Sequence, residues 1–161
     1  MITKEQLLNS MRHETRVIQH LATKVPEGAY DYRPAEGQRS TLELMQYMTR
    51  MAAEAAIGAV NGNWDHAGAM NDDMEKVTPE NFAGEMDRQI AIIEDLLAGV
   101  DESAATTADA VMPWGTPTTL SAALLDMPLK CYVAYRMQFF LYCKAAGIPD
   151  LTSAQCWVGA E

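Results

Sequence analysis

The chain has 161 residues, 48% of them apolar, and a formal net charge of −10. This length suits one domain, residues 1–161, with a substantial core, and so many apolar residues exclude a disordered chain.

The acidic balance opposes binding to nucleic-acid phosphates. No apolar run approaches the eighteen or so residues of a membrane span, and the polar amphipathic start lacks the apolar centre of a signal peptide. We therefore expect a cytoplasmic protein without nucleic-acid or membrane partners.

The three cysteines, Cys131, Cys143 and Cys156, form no CxxC motif. An odd number without paired spacing favours free thiols in a reducing compartment. Cys131 and Cys143 are twelve residues apart in one predicted helix, which separates them by about 18 Å. They cannot form a disulfide within that helix.

The first half of the chain predicts two amphipathic helices. Helix one is expected from residue 2 or 4 to Val25, with a capping box at its start and an apolar stripe at helical spacing. Residues 29–39 form a loop long enough to cross an end of the domain. Helix two is expected from Ser40 to Val60, and the Asn61-Gly62 pair ends it. Residues 62–77 read as an irregular segment whose Trp64 packs against the helices.

The second half predicts two more helices. Helix three begins with Thr78 as its cap and Pro79 in its first turn, and ends at Gly99. Residues 101–119 form a second long crossing, with a short extended piece at residues 111–115. Helix four runs from Leu120 to Gly147, capped by Thr118 or Thr119, and residues 150–161 form a short tail.

Pro128 lies inside the predicted fourth helix and should kink it or mark a later true start. Four amphipathic helices, two long crossings and almost no strand pattern predict an all-α protein with a four-helix bundle.

Helix four carries a row of polar side chains along one face. Cys131 and Tyr135 are one turn apart, and Gln138 and Tyr142 continue the row at helical spacing. A thiol and two phenols could coordinate a metal, hold a substrate or simply pack. The residue pattern leaves these three interpretations open.

Three stretches together resemble the DinB/YfiT-like metalloenzyme superfamily. They are VPEGAYDYRPAEGQRSTLELMQYM before and in helix two, Trp114-Gly115 with the Thr-rich cap after it, and YRMQFFLYCKAAGI in helix four. The resemblance implies a four-helix bundle of unusual topology with long crossover loops, often dimeric. It also implies a divalent metal held by three histidines, and relatives that include thiol-dependent transferases and isomerases using mycothiol or bacillithiol.

The chain departs from this family at the metal ligands. Tyr47 stands where helix two would carry its histidine, and Cys131 and Tyr135 stand at the H-x-x-x-H pair of helix four. A phenol has a pKa near 10, so a set of two tyrosines and a cysteine would have to lose three protons to bind an ion. The resemblance therefore implies a degenerate site at these three residues, with Gln138 and Tyr142 as candidate neighbours and no cofactor expected.

Two functions follow as expectations. The first is a non-metal protein, a homodimer as the family resemblance implies, that binds a small amphipathic ligand in the former metal pocket or serves as a scaffold. Cys131 would act as a nucleophile there only with a lowered pKa, and its neighbour Lys130 points elsewhere.

The second is a divalent-metal- and thiol-dependent transferase or hydrolase with a remodelled Zn or Ni site. It would recruit His13, His20 or His66, or Asp126 with one of them, and these must come within about 2–2.5 Å of a common point.

Overall fold

The computed structural model describes residues 2–65, 71–148 and 150–160. Within them the chain is predominantly helical. The helices are α1 (Lys4–Ala22), α2 (Thr41–Met48), α3 (Met51–Asn61), α4 (Phe82–Ala98), α5 (Glu102–Ala105), α6 (Leu120–Leu124), α7 (Lys130–Ala145) and α8 (Ser153–Val158). A 3₁₀ helix spans Asn71–Lys76, a π-helical segment spans Leu125–Leu129, and the two strands are β1 (Asp109–Val111) and β2 (Pro117–Thr119).

The long helices pack as a four-membered bundle around one apolar core. α1 contacts α4 and α7, and α3 contacts α4 together with α6 and the π-helical segment. α2 lies against α7. The predicted all-α four-helix bundle is confirmed, and within the described residues no helix is long and apolar enough to cross a membrane.

Two predicted helix ends were wrong by three or four residues. α1 ends at Ala22 and not at Val25, because the proline after Val25 disfavours the helical conformation of the residue before it. α4 begins at Phe82 and not after Thr78. The Asn81 side chain accepts the Thr78 N–H at 2.8 Å and so forms a separate turn before the helix.

Predicted helix two is broken into α2 and α3. Ser40 and Glu43 form the expected capping box, but the backbone leaves helical geometry at Arg50, with φ −136° and ψ −25°. No proline or glycine marks this point in the sequence, so the prediction of one continuous helix was wrong there.

The Gln89 side chain on α4 compensates for the break. Its Oε1 accepts the N–H of Ala52 at 2.9 Å, and its Nε2 donates to the carbonyl of Met48 at 2.9 Å. The same Nε2 lies 3.1 Å from the Tyr132 hydroxyl on α7. Backbone groups that a continuous helix would pair internally are thus satisfied by a buried amide from another helix.

The start of the last helix has the irregularity that Pro128 predicts. Thr119 caps α6 by accepting the N–H of Ala122, as expected. The chain then widens into the π-helical segment that contains Pro128 before α7 begins, because proline lacks an N–H and its ring crowds the preceding turn. The extended piece predicted at residues 111–115 was wrong except at Val111: the strands are β1 and β2, and residues 112–116 form the turn between them. In this small antiparallel hairpin Ala110 pairs with Thr118.

The C-terminal tail forms a helix that docks on the bundle. Arg136 on α7 is 2% exposed and pairs with Glu14 on α1 at 2.5 Å. Its Nη1 donates to the carbonyl of Cys156 on α8, and its guanidinium lies 4.7 Å from the Trp157 ring centre. One buried cation therefore joins three helices.

Candidate functional site

Tyr47, Cys131 and Tyr135 lie close together, at the contact of α2 with α7. Tyr47 is in the last turn of α2, and the other two are in the first two turns of α7. The rings of Tyr47 and Tyr135 meet edge to face, with centroids 4.9 Å apart and planes at 66°. This arrangement is a favourable aromatic geometry.

A pocket of about 420 Å³ opens beside these residues, and Tyr47 and Cys131 both line it. We call it the Tyr47 pocket. Tyr135 packs behind Tyr47. The complete described lining comprises Tyr47, Met51, Glu54, Ala55, Trp64, Asp65, Pro113, Met127 and Cys131. Its volume falls in the range of small-molecule sites.

Trp64 forms one wall of the pocket and is held from two sides. Its Nε1 donates to the carbonyl of Val111 in the hairpin at 2.8 Å. Its ring lies on α3 at Gly58, where an added Cβ would come within 2.4 Å of the indole. The absence of a side chain at Gly58 therefore allows the indole to reach this position, and the expectation that Trp64 packs against the helices is confirmed.

Two guanidinium groups lie near the Tyr47 ring. The Cζ of Arg39 is 3.9 Å from the ring centre, and that of Arg50 is 5.5 Å from it. Both distances are within the range of cation–π attraction. The aromatic ring of Tyr47 thus lies within cation–π distance of two of the chain's own guanidinium groups.

The Tyr47 phenol and the Cys131 thiol are held in their neutral forms. Burial raises the pKa of Tyr47 well above that of an ordinary phenol, and the adjacent Tyr135 hydroxyl raises it further, although Arg39 offsets part of the shift. Burial also raises the pKa of the Cys131 thiol. A metal ion would have to displace these protons, and among the described residues no group of three His, Cys, Asp or Glu side chains could hold one.

No protein-family model matches the chain, and no curated protein matches it. Solved structures do match the chain. A DinB-like protein from Bacillus subtilis, YjoA, is 20% identical with a TM-score of 0.69, over 91% of this chain and 96% of its own. The chain has the DinB-like fold. A second structure, assigned to the DinB family and from Exiguobacterium sibiricum, is 21% identical with a TM-score of 0.65, over 94% of this chain and 97% of its own.

These likenesses confirm the resemblance read from the sequence at the level of the fold. At 20–21% identity they carry no activity to this chain.

In this DinB-like bundle the two candidate neighbours lie outside the pocket lining. Gln138 Nε2 donates to the Tyr142 hydroxyl at 3.1 Å, and that hydroxyl donates to the carbonyl of Arg39 at 3.2 Å. Tyr142 is buried and meets the Tyr32 ring edge to face. These hydrogen bonds connect both residues to the loop that carries Arg39, whose guanidinium lies on the Tyr47 ring.

The residues of the alternative metal site are not gathered in the described part of the DinB-like fold. His13 Nε2 lies 2.7 Å from the carbonyl of Trp157. His20 is two turns further along α1, about 10.5 Å away along the axis. Asp126 pairs with Lys130 at 2.6 Å. His66 lies outside the described residues.

Sequence reasoning missed two residues of this site, Arg39 and Glu54. Glu54 is a lone charge in the small, apolar segment MAAEAAIGAVN of α3, and a charge on such a helix could have marked it as a site residue. Arg39 directly precedes the Ser40 cap, within the stretch that carries the family resemblance. Neither position could be matched to Tyr47 without the packing of α2 and α3.

Proposed function

We propose that this chain is a cytoplasmic, DinB-like protein that binds a small amphipathic ligand in the Tyr47 pocket and does so without a metal ion. The observation that carries the proposal is a pocket of about 420 Å³ that is lined by Tyr47 and Cys131, with Tyr135 packed against the Tyr47 ring. The sequence resemblance implies the family's metal ligands at these three positions, and the side chains present here suit hydrogen bonding and apolar contact.

The chemistry of the donors supports a ligand other than a metal. The raised pKa values of Tyr47 and Cys131 mean that deprotonation is unfavourable at neutral pH. A Zn or Ni ion binds well to groups that need not lose a proton at high cost, such as neutral imidazole. The same neutral phenols and thiol can donate and accept hydrogen bonds at the mouth of an apolar cavity.

Metal content is the first measurement. Untagged protein is purified, analysed for first-row metals, stripped, and titrated with Zn and Ni. We expect far less than one equivalent to bind. If the wild-type chain binds one equivalent of metal and Tyr47→Phe or Cys131→Ala binds none, the proposal is overturned, because the metal site is then remodelled. Thiol-transfer assays would be the next test.

Ligand binding in the pocket is the second measurement. A fragment library is screened by ligand-observed NMR against the wild-type chain and against Ala55→Phe, which places a ring in the pocket wall. The matched control is Ala91→Phe on the exposed face of α4. We expect hits that are lost in Ala55→Phe and kept in the control. Fragments that bind Ala55→Phe as well as they bind the wild-type chain would contradict the proposal, and so would the absence of any binding fragment.

A further inference from the structure

We propose that the Tyr47 pocket selects a small organic cation, namely an amine with an apolar body; this deepens the proposed function and rests on it. Among the described residues that line the pocket, the charged ones are Glu54 and Asp65. Both are acidic. The two carboxylates attract a positively charged ligand in the pocket. They therefore favour binding of a cation over a neutral molecule or an anion.

Glu54 retains hydrogen-bonding capacity that a ligand ammonium could use. Its side chain is 13% exposed, and its Oε1 is buried without a hydrogen-bond partner among the described residues. The nearest guanidinium nitrogen, Arg50 Nη1, lies 3.7 Å away, longer than the 2.7–2.9 Å of a close charged hydrogen bond. A buried carboxylate with an unmade hydrogen bond is costly, so a donor brought by a ligand is stabilising.

The nearby basic residues do not cancel this preference inside the pocket. Arg50 lines a separate small cavity together with Thr49, Asp73 and Gln89. Arg39 lies on the Tyr47 ring and is not part of the described lining. Neither guanidinium is therefore among the described groups that a ligand in the pocket would contact directly.

The uncharged walls suit the apolar body of such an amine. Trp64, Met51, Met127 and Pro113 supply an indole, two thioethers and a proline ring. Indole attracts cations more strongly than the other aromatic side chains, and methionine adapts to irregular apolar shapes. The combination of acidic groups with soft, polarisable walls is the chemistry by which proteins recognise hydrophobic ammonium ions.

The test compares three probes of nearly equal size and different charge. 2-Phenylethylamine, 2-phenylethanol and 3-phenylpropanoate are each titrated into the untagged full chain by calorimetry at neutral pH. We expect the amine to bind about tenfold or more tightly than the alcohol, since a charge-assisted hydrogen bond separates them. Added NaCl should lower the affinity of the amine and leave that of the alcohol unchanged. The carboxylate should bind least.

Variants then place the selectivity on the two carboxylates. Asp65→Asn and Glu54→Gln should each weaken the amine about tenfold and leave the alcohol unchanged. Asp126→Asn is the matched control, because Asp126 pairs with Lys130 and is absent from the described lining. Glu54 also partners buried Arg50. Circular dichroism checks that each variant is folded. If Glu54→Gln is unfolded, the result for Asp65→Asn, a change at an exposed residue, decides the test.

Each failure has a separate meaning. If the alcohol or the carboxylate binds as tightly as the amine, the cation preference is overturned and the proposed small-ligand function stands. If amine binding survives Asp65→Asn or Ala55→Phe, the amine binds elsewhere and the inference is overturned. If none of the three probes binds, the amine class is rejected, and the fragment screen with Ala55→Phe alone decides the proposed function.

Discussion

At the scale of single residues, Cys131 carries the most accessible thiol of the three cysteines, but that thiol is not activated. Cys143 and Cys156 are buried, and Cys131 is half-buried at the wall of the Tyr47 pocket. Burial raises the pKa of the Cys131 thiol and also raises that of Cys143, to about 12. A thiol with a raised pKa is mainly protonated at neutral pH, and the thiolate is the nucleophile.

We therefore expect Cys131 to be alkylated first but slowly. A short iodoacetamide pulse on the native chain, followed by peptide mass spectrometry, should label Cys131 before the other two cysteines. The alkylation rate of Cys131 should still rise about tenfold per pH unit above pH 8.5. The rate of an ordinary thiol levels off there, because that thiol is already mostly deprotonated. The Cys131→Ser variant is the control. A rate that levels off below pH 8 would identify an activated nucleophile and contradict this description.

Glu43 is a second residue whose titration can be measured. Bidentate hydrogen bonds from Arg33, at 2.7 Å each, and the Ser40 backbone N–H lower its pKa to about 2 from 4.5. A lowered folded-state pKa stabilises the protein above the unfolded value, and that contribution is lost as the pH falls from about 4.5 towards 2. The pair is exposed, so the effect is modest and screened by salt.

Glu43→Gln should therefore reduce the free energy of unfolding at pH 7, and this difference should shrink by pH 3. Glutamine preserves the capping box, so the change reports the charge. Urea unfolding of both proteins at several pH values gives the measurement, with exposed Glu36→Gln as the control. A difference that grows on acidification would contradict the assignment.

At the scale of elements, the broken second helix is the feature that shapes the site. The break at Arg50 follows the end of α2 at Met48, one residue after Tyr47, and α3 then begins at Met51 with Glu54 on the pocket wall. It exists because Gln89, a residue of another helix, satisfies the backbone at Met48 and Ala52. Gln89 is 1% exposed, so water cannot replace it.

Gln89→Ala should lower the free energy of unfolding by about 2–4 kcal/mol, because it strands buried donors and acceptors on both sides of the break. Urea denaturation measures this loss, with Gln38→Ala in the exposed loop as the control. The variant should also disturb the fluorescence of Trp64 more than Gln38→Ala does. A loss within 0.5 kcal/mol, the size of a typical surface substitution, would show that the break holds without Gln89.

At the scale of the whole molecule, the buried Arg136–Glu14 pair ties both ends of the chain to α7. Removing one partner leaves the other charge buried without compensation. Arg136→Met should therefore cost about 3–5 kcal/mol of unfolding free energy, and it should release α8 to proteolysis near Trp157. The double variant Glu14→Leu/Arg136→Met should recover much of the loss. No recovery would mean that packing, and not charge, dominates at this contact.

A homodimer, expected from the family resemblance, has a candidate surface on α7. Val133, Met137 and Leu141 follow one another at four-residue spacing and are 39%, 38% and 55% exposed. Two such stripes related by a two-fold axis would cover each other. We propose that Leu141→Lys converts a dimer into a monomer in light scattering, while Val158→Lys on α8 does not. A monomeric wild-type chain would reject the surface.

The sequence by itself predicted the main helices of this protein and three residues that lie close together in the candidate site. Apolar spacing, capping boxes and Pro128 are local signals, and the family resemblance singled out Tyr47, Cys131 and Tyr135. These features depend on neighbours within a few turns, so a single chain displays them.

Only the tertiary structure decided where helix two breaks, how α8 docks and what surrounds Tyr47. Gln89 lies 37 residues from Ala52, and Arg136 lies 20 residues from Cys156. Glu54 and Trp64 reach the pocket, and Arg39 reaches the Tyr47 ring, from three segments that no local pattern relates. Their contacts form because burial forces each polar group to find a partner wherever the fold brings one.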